Sequence, residues 1–185
     1  VDGKAVPVDQ VRKYLDKVPG TVIVVLDCCL SGQFIQAKGA SPTREQQGRF
    51  LADMVGAFAS PSPDPSSKGT VSLISNNPRK NKYRIMASCK PLEFSWACSE
   101  EEDAYGFFTY YLAQGLGIVR KGNSFIHQGA IPADKDLDGY VSLQEIHQYT
   151  APRVTQIIRE LVDAVQTVMV WPANSSKPIF ARIGC

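Results

Sequence analysis

No run of apolar residues approaches the roughly 20 needed to cross a bilayer as a helix. No signal-peptide pattern opens the chain. It starts at Val1 without a Met, which reads as a processed product or a trimmed chain. Charge of one sign is not in excess: the formal net charge is +2. So weak a field gives no basis for a nucleic-acid partner. No C-x-x-C pair occurs, which argues against a structural zinc site. The five Cys are an odd number, so at least one cannot pair within the chain. Cys28 and Cys29 are adjacent and poorly placed to bond to each other. Most of the thiols are expected as small core hydrophobes. Histidine is scarce, with only His127 and His147. No internal repeat or second domain is evident.

What is present is an ordinary globular composition. The 185 residues are one domain's worth, and 44% are hydrophobic, enough to bury a core. Val8, Val11, Leu15 and Val18 recur at helical spacing, so residues 7–18 read as an amphipathic helix ended by Pro19-Gly20. Residues 21–27, T-V-I-V-V-L-D, carry an apolar, mostly β-branched run that reads as a strand buried on both faces. A helix, a turn and such a strand suggest an α/β layered fold with parallel strands. Residues 45–59 read as a helix, 60–69 as an exposed Pro/Ser loop, and 71–75 and 83–88 as strands. The aromatic-rich stretch 103–116 and the stretch 142–168 read as helices, the latter broken at Pro152. Residues 179–183 read as a final strand. The acidic run Glu100–Asp103 reads as a solvated face that could also attract basic substrates.

The most informative segment is Asp27-Cys28-Cys29-Leu30-Ser31-Gly32, at the C-terminal end of the apolar strand. Ligand and catalytic groups of open α/β sheets gather at that edge. Side chains alternate along a strand, so Asp27 and Cys29 share a face. Gly32 tolerates whatever dihedrals the turn requires. A thiol beside a carboxylate is one reading. The other is a buried Cys pair closing the strand, with Asp27 capping the turn. A Cys nucleophile also needs a base, because the thiolate attacks.

These residues resemble the D-x-C-x-S-G motif of the caspase-like peptidases, which include caspases, metacaspases and clostripain-type enzymes. The resemblance implies that Cys29 is the nucleophile. It implies that Asp27 is the acid of the S1 pocket, which would pair with a substrate Arg or Lys. Met86-Ala87-Ser88-Cys89 resembles the small-residue strand lining S1, so Ser88 is a candidate substrate-binding residue. Glu93-Phe94-Ser95-Trp96 resembles the substrate-binding strand of caspases, which adds Ser95 and Trp96. Ala97 stands where caspases carry an Arg that helps bind a substrate Asp. That departure argues against Asp specificity and fits a basic one. Gly106-Phe107-Phe108-Thr109-Tyr110-Tyr111-Leu112 resembles the G-x-F-T-x-x-L helix, and Trp171-Pro172 and the final Ile-Phe strand sit where the sheet of these enzymes ends. The resemblance covers nearly the whole chain. It implies a three-layer caspase-like sandwich: a mostly parallel sheet flanked by helices, part of it supplied by a missing N-terminal segment.

That clan's base is a His in an H-G pair, about 50 residues before the Cys in caspases. Only 28 residues precede Cys29, and none is His. Neither His127 nor His147 has the H-G context, and both read as surface residues. Two explanations stand. The His lies on an N-terminal fragment that was cleaved but stays bound, as in the maturation of clostripain-type enzymes. Or the chain is an inactive relative, a binding or regulatory module. The strand count favours the first: three or four strands against about six in the clan, with a hydrophobic edge that proteins avoid leaving open. The expected activity is therefore a cysteine endopeptidase cleaving after Arg or Lys, with the N-terminal fragment as partner. Substrate would lie extended and pair with the 94–96 segment.

Residues 134–145, D-K-D-L-D-G-Y-V-S-L-Q-E, fit EF-hand spacing. Asp134, Asp136, Asp138, the Tyr140 carbonyl and Glu145 are candidate ligands for structural Ca²⁺, with Ser142 acting through water and Gly139 at the turn. Residues 131–133 do not read as an entering helix, so this is a half EF-hand. The same stretch also reads as an acidic turn before a capped helix.

Overall fold

The computed structural model describes residues 8–27, 82–90, 93–98, 105–121 and 124–181. Cys28, Cys29, the helix expected over 45–59, the loop at 60–69, the strand at 71–75 and the acidic run Glu100–Asp103 lie outside them. In chain order the elements are α1 (Val8–Leu15), β1 (Val22–Leu26), β2 (Tyr83–Ala87), β3 (Ala97–Cys98), β4 (Tyr105–Gly106) and α2 (Phe107–Gly115). Then come β5 (Ile118–Lys121), β6 (Ser124–His127), β7 (Tyr140–Ser142), α3 (Leu143–Val162), β8 (Met169–Trp171) and β9 (Pro178–Ala181). The fold is mixed α/β, with small sheets and three helices among the described residues. None of those helices is long and apolar enough to cross a membrane.

The largest sheet has the order β1-β2-β8. β1 and β2 run parallel, with Val22 opposite Tyr83 and Leu26 opposite Ala87. β8 is antiparallel to β2. Every residue of β2 is buried, as expected for a strand covered on both faces. On one face Tyr83, Ile85 and Ala87 join Val22, Leu26 and Cys89, with Val11 and Leu15 of α1 packed against them. On the other, Met86 joins Phe108 and Leu112 of α2 and Ile146, Val154 and Ile158 of α3. β1 departs from expectation. Val22 and Leu26 are buried, but Ile23 and Val25 are exposed. Among the described residues its apolar run is thus covered on the α1 face alone, and it forms an edge of the sheet.

α3 starts on a capping box. The Ser142 hydroxyl accepts from the Glu145 N–H while the Glu145 carboxylate accepts from the Ser142 N–H. The helix then runs unbroken through Pro152 to Val162, where Asp163 closes it at φ 48°. The expected break is absent. A proline inside a helix costs about 3 kcal/mol. Ile146 and Tyr149 before it and Val154 and Ile158 after it are all buried in one core, and that packing outweighs the local cost. Residues 164–168 are not helical and lead without regular secondary structure into β8. β9 pairs with β7 rather than with the largest sheet. His127 is the last residue of β6, which pairs with β5.

Candidate functional site at the end of β1

Asp27 directly follows β1 and is exposed. The parallel pairing places Ser88 beside it, because the Ser88 N–H donates to the Leu26 carbonyl at 2.9 Å. Two hydroxyls hold the Asp27 carboxylate. Ser95 Oγ donates to Oδ1 at 3.1 Å, and Thr109 Oγ1 donates to Oδ2. Ser95 comes from the segment before β3, and Thr109 from the first turn of α2. Gly106 makes room for the approach. A Cβ there would overlap Asp27 Oδ2 and lie 3.1 Å from its Cγ.

Beneath this pair lies Gln166, fully buried in the segment between α3 and β8. Its Oε1 accepts from the Trp96 N–H at 2.8 Å. Its Nε2 donates to the Ser88 carbonyl at 3.0 Å and to Ser95 Oγ at 3.3 Å. A second side chain ties the same two segments in the opposite sense. The Glu93 carboxylate accepts from the Thr167 N–H at 2.6 Å and from its hydroxyl at 2.9 Å. α3 braces the arrangement: Thr155 Oγ1 donates to the Gln166 carbonyl at 3.0 Å, and His147 Nε2 lies 3.1 Å from the Val168 carbonyl.

The structure therefore brings together all four residues expected to bind substrate. Asp27 and Ser95 touch directly, and Gln166 links Ser88, Ser95 and Trp96. Cys29, the expected nucleophile, lies outside the described residues. Trp96 is placed differently from the expectation of backbone pairing with substrate. Its N–H goes to Gln166, and its carbonyl accepts from the Phe107 N–H at 3.2 Å. The main chain turned away from β4 is that of exposed Ala97, since backbone groups alternate between the two edges of a paired strand. Neither His joins the site. His147 is on α3 facing Val168, and His127 Nδ1 accepts from the Gly129 N–H at 3.0 Å. Thr109 and Gln166 are the residues that sequence reasoning missed. Thr109 was visible in the G-x-F-T pattern. Gln166 had a fainter signal, as one of two polar residues, with Thr167, in the otherwise apolar stretch 164–170.

The acidic loop forms a second cluster. Oxygens of Asp134, Asp136 and Asp138 lie within 4.8 Å of one another. Gly139 at φ 86° makes the sharp turn that this position requires. Its N–H donates to Asp134 Oδ2 at 3.1 Å, and the Tyr140 N–H donates to Asp138 Oδ1 at 2.7 Å. Asp134 Oδ1 is buried with no hydrogen-bond partner, so one hard oxygen donor is left over for a cation. Glu145 reaches back to the loop, accepting from the Lys135 N–H at 3.1 Å. Burial pushes its carboxyl upward, but the bonds from Ser142, Lys135 and Asp136 outweigh that and hold it below the usual value. Residues 131–133 are not helical. The three aspartates are thus close enough together to hold a metal ion jointly.

Comparison of the chain with protein-family models, curated proteins and solved structures finds no match.

Proposed function

We propose that this chain is the nucleophile-bearing part of a caspase-like cysteine endopeptidase that cleaves after Arg or Lys. One observation carries the reading. Asp27, Ser88, Ser95 and Trp96, singled out by three separate short motifs, converge at the end of β1 on one hydrogen-bonded cluster. A carboxylate with both oxygens oriented by hydroxyls is matched to a guanidinium or ammonium, which offers only donors. In this reading Cys29, two residues on, attacks the carbonyl after the basic side chain. A His from a separate N-terminal chain or fragment protonates the leaving amine. The finer architecture, a three-layer sandwich completed by strands of that fragment beside the described sheet, belongs to the same proposal. The partner is that fragment, and the substrate is a peptide with a basic residue before the cleaved bond. The test is hydrolysis of fluorogenic peptides by the chain together with its N-terminal fragment. Cleavage after Arg or Lys, abolished in Cys29→Ala, is the expected result. Cleavage preferentially after Asp would sink it.

A second reading has its own observation. His127 and His147 are both engaged away from Asp27, so the chain as it stands could be a binding or regulatory module built on the same site. It predicts no hydrolysis with any partner chain, but retained binding of basic peptides. Both readings include structural Ca²⁺ on the loop. Asp134, Asp136, Asp138, the Tyr140 carbonyl and Glu145 would hold it, and it would stiffen the start of α3.

A further inference from the structure

We infer that Gln166 is a positioning residue that fixes the direction of the Ser95 hydroxyl and, through it, the orientation of Asp27. The inference rests on the reading of Asp27 as the group that receives a basic side chain. It starts from the amide itself. An amide's oxygen and nitrogen are told apart by their partners. Here both assignments are forced. Oε1 faces the Trp96 N–H, which can only donate. Nε2 faces the Ser88 carbonyl, which can only accept. Gln166 is fully buried, so a reversed amide would oppose donor to donor and acceptor to acceptor away from water, at high cost. With Nε2 so fixed, its remaining hydrogen points to Ser95 Oγ.

Ser95 is 2% exposed, and its hydroxyl has a single proton. Nε2 already donates to the oxygen, so that oxygen acts there as acceptor. Asp27 Oδ1 lies 3.1 Å from Oγ, and a carboxylate only accepts. The proton therefore goes to Asp27. The direction Gln166 to Ser95 to Asp27 is set at its buried end, by two backbone groups on the segments after β2 and before β3. Gln166 never touches the basic side chain. It keeps one face of the Asp27 carboxylate fixed, so that the other is presented ready-made to a cation.

A purely structural Gln166 would only clamp the backbones of Ser88 and Trp96. A double-mutant cycle separates the two roles. In the full chain, Ser95→Ala and Gln166→Met are each expected to weaken binding of benzamidine, an amidinium probe, about tenfold. The double variant is expected to bind no more weakly than Ser95→Ala alone. Additive losses would overturn the relay, because they mean Gln166 acts by a route that bypasses Ser95. A ligand-free readout runs beside it, the carboxyl ¹³C resonance of Asp27 at neutral pH. The relay expects the same displacement in both single variants and in the double. A Gln166→Met resonance at the wild-type position overturns it. If the wild-type chain does not bind benzamidine, the substrate reading of Asp27 fails, while the resonance still decides the relay. If Gln166→Met does not fold, Gln166→Glu keeps an acceptor for Trp96 and removes the donor to Ser95. It must displace the Asp27 resonance as Ser95→Ala does, and an unmoved resonance refutes the relay.

Discussion

At the scale of single residues, the site depends on side chains far apart in sequence. Asp27 meets Thr109 across 82 positions, and Ser95 meets Gln166 across 71. Gly106 shows how little freedom remains. Its φ of −72° is open to any residue, so the position is constrained by space alone, and the space is filled by the Asp27 carboxylate. Gly106→Ala is expected to push that carboxylate off Ser95 and Thr109. It should raise KM for basic peptides about tenfold, while stability moves by no more than about 1 kcal/mol. Steady-state kinetics and a thermal melt check both halves. An unchanged KM would mean that Asp27 does not form the specificity subsite. Asp27, Ser88, Ser95 and Trp96 were legible in the sequence because each lies in a short pattern at or near a strand end. Gln166 was not, because its role comes from what the fold sets beside it. In a mostly apolar run a polar residue shows only that something must satisfy it.

At the scale of elements, α1 is latched to the sheet by polar contacts at Asp16 beside its apolar stripe. The Tyr83 hydroxyl of β2 donates to Asp16 just past the end of α1, and Arg12 pairs with the same carboxylate at 3.6 Å. Burial, then the hydrogen bond to Asp16, pushes the Tyr83 hydroxyl up from 10.0 to about 12. The folded state thus favours the neutral phenol. Its contribution to stability is complete below pH 10 and is lost as pH rises toward about 12. Tyr83→Phe should cost about 1 kcal/mol at neutral pH and flatten the alkaline limb of the stability curve. Chemical denaturation between neutrality and the alkaline range measures it, and parallel limbs in the two proteins would refute the latch. Helices were the most legible elements, since α1 and the second half of α3 show a plain apolar stripe. Their limits were less so. Pro152 signalled a break that tertiary packing overrode. The pairing of β9 with β7 had no local signature, because a strand's partner is chosen by the whole fold. Gly115 is a further case. It lies where α2 crosses α3, and a Cβ there would come within 2.8 Å of Ile146 and Tyr149, a closeness that the sequence does not announce.

At the scale of the whole molecule, α3 joins the two clusters. Its first turn is the end of the acidic loop, through the Ser142–Glu145 capping box. Its apolar side is the main core, with Leu143, Ile146, Val154 and Ile158 all at 0% exposure. Its later turns hold the segment that carries Gln166. Whatever steadies the loop must therefore steady the helix on which most of the core packs. A cation bound by the folded loop and not by the unfolded chain adds about 2.7 kcal/mol at one hundred times its dissociation constant. In a chain of this size that is a rise in Tm of about 5–10 °C. The expectation is that Ca²⁺ raises Tm by such an amount and that a chelator reverses it. Mg²⁺, which demands a tighter octahedral shell, should not substitute. Asp138→Asn removes one charged ligand, and Asp134→Ala removes the buried oxygen that lacks a partner. Both should reduce the rise, with Asp134→Ala abolishing it. A melt unmoved by Ca²⁺ would leave the loop as an acidic turn before a capped helix. A rise that survives Asp134→Ala would place the ion elsewhere on the chain.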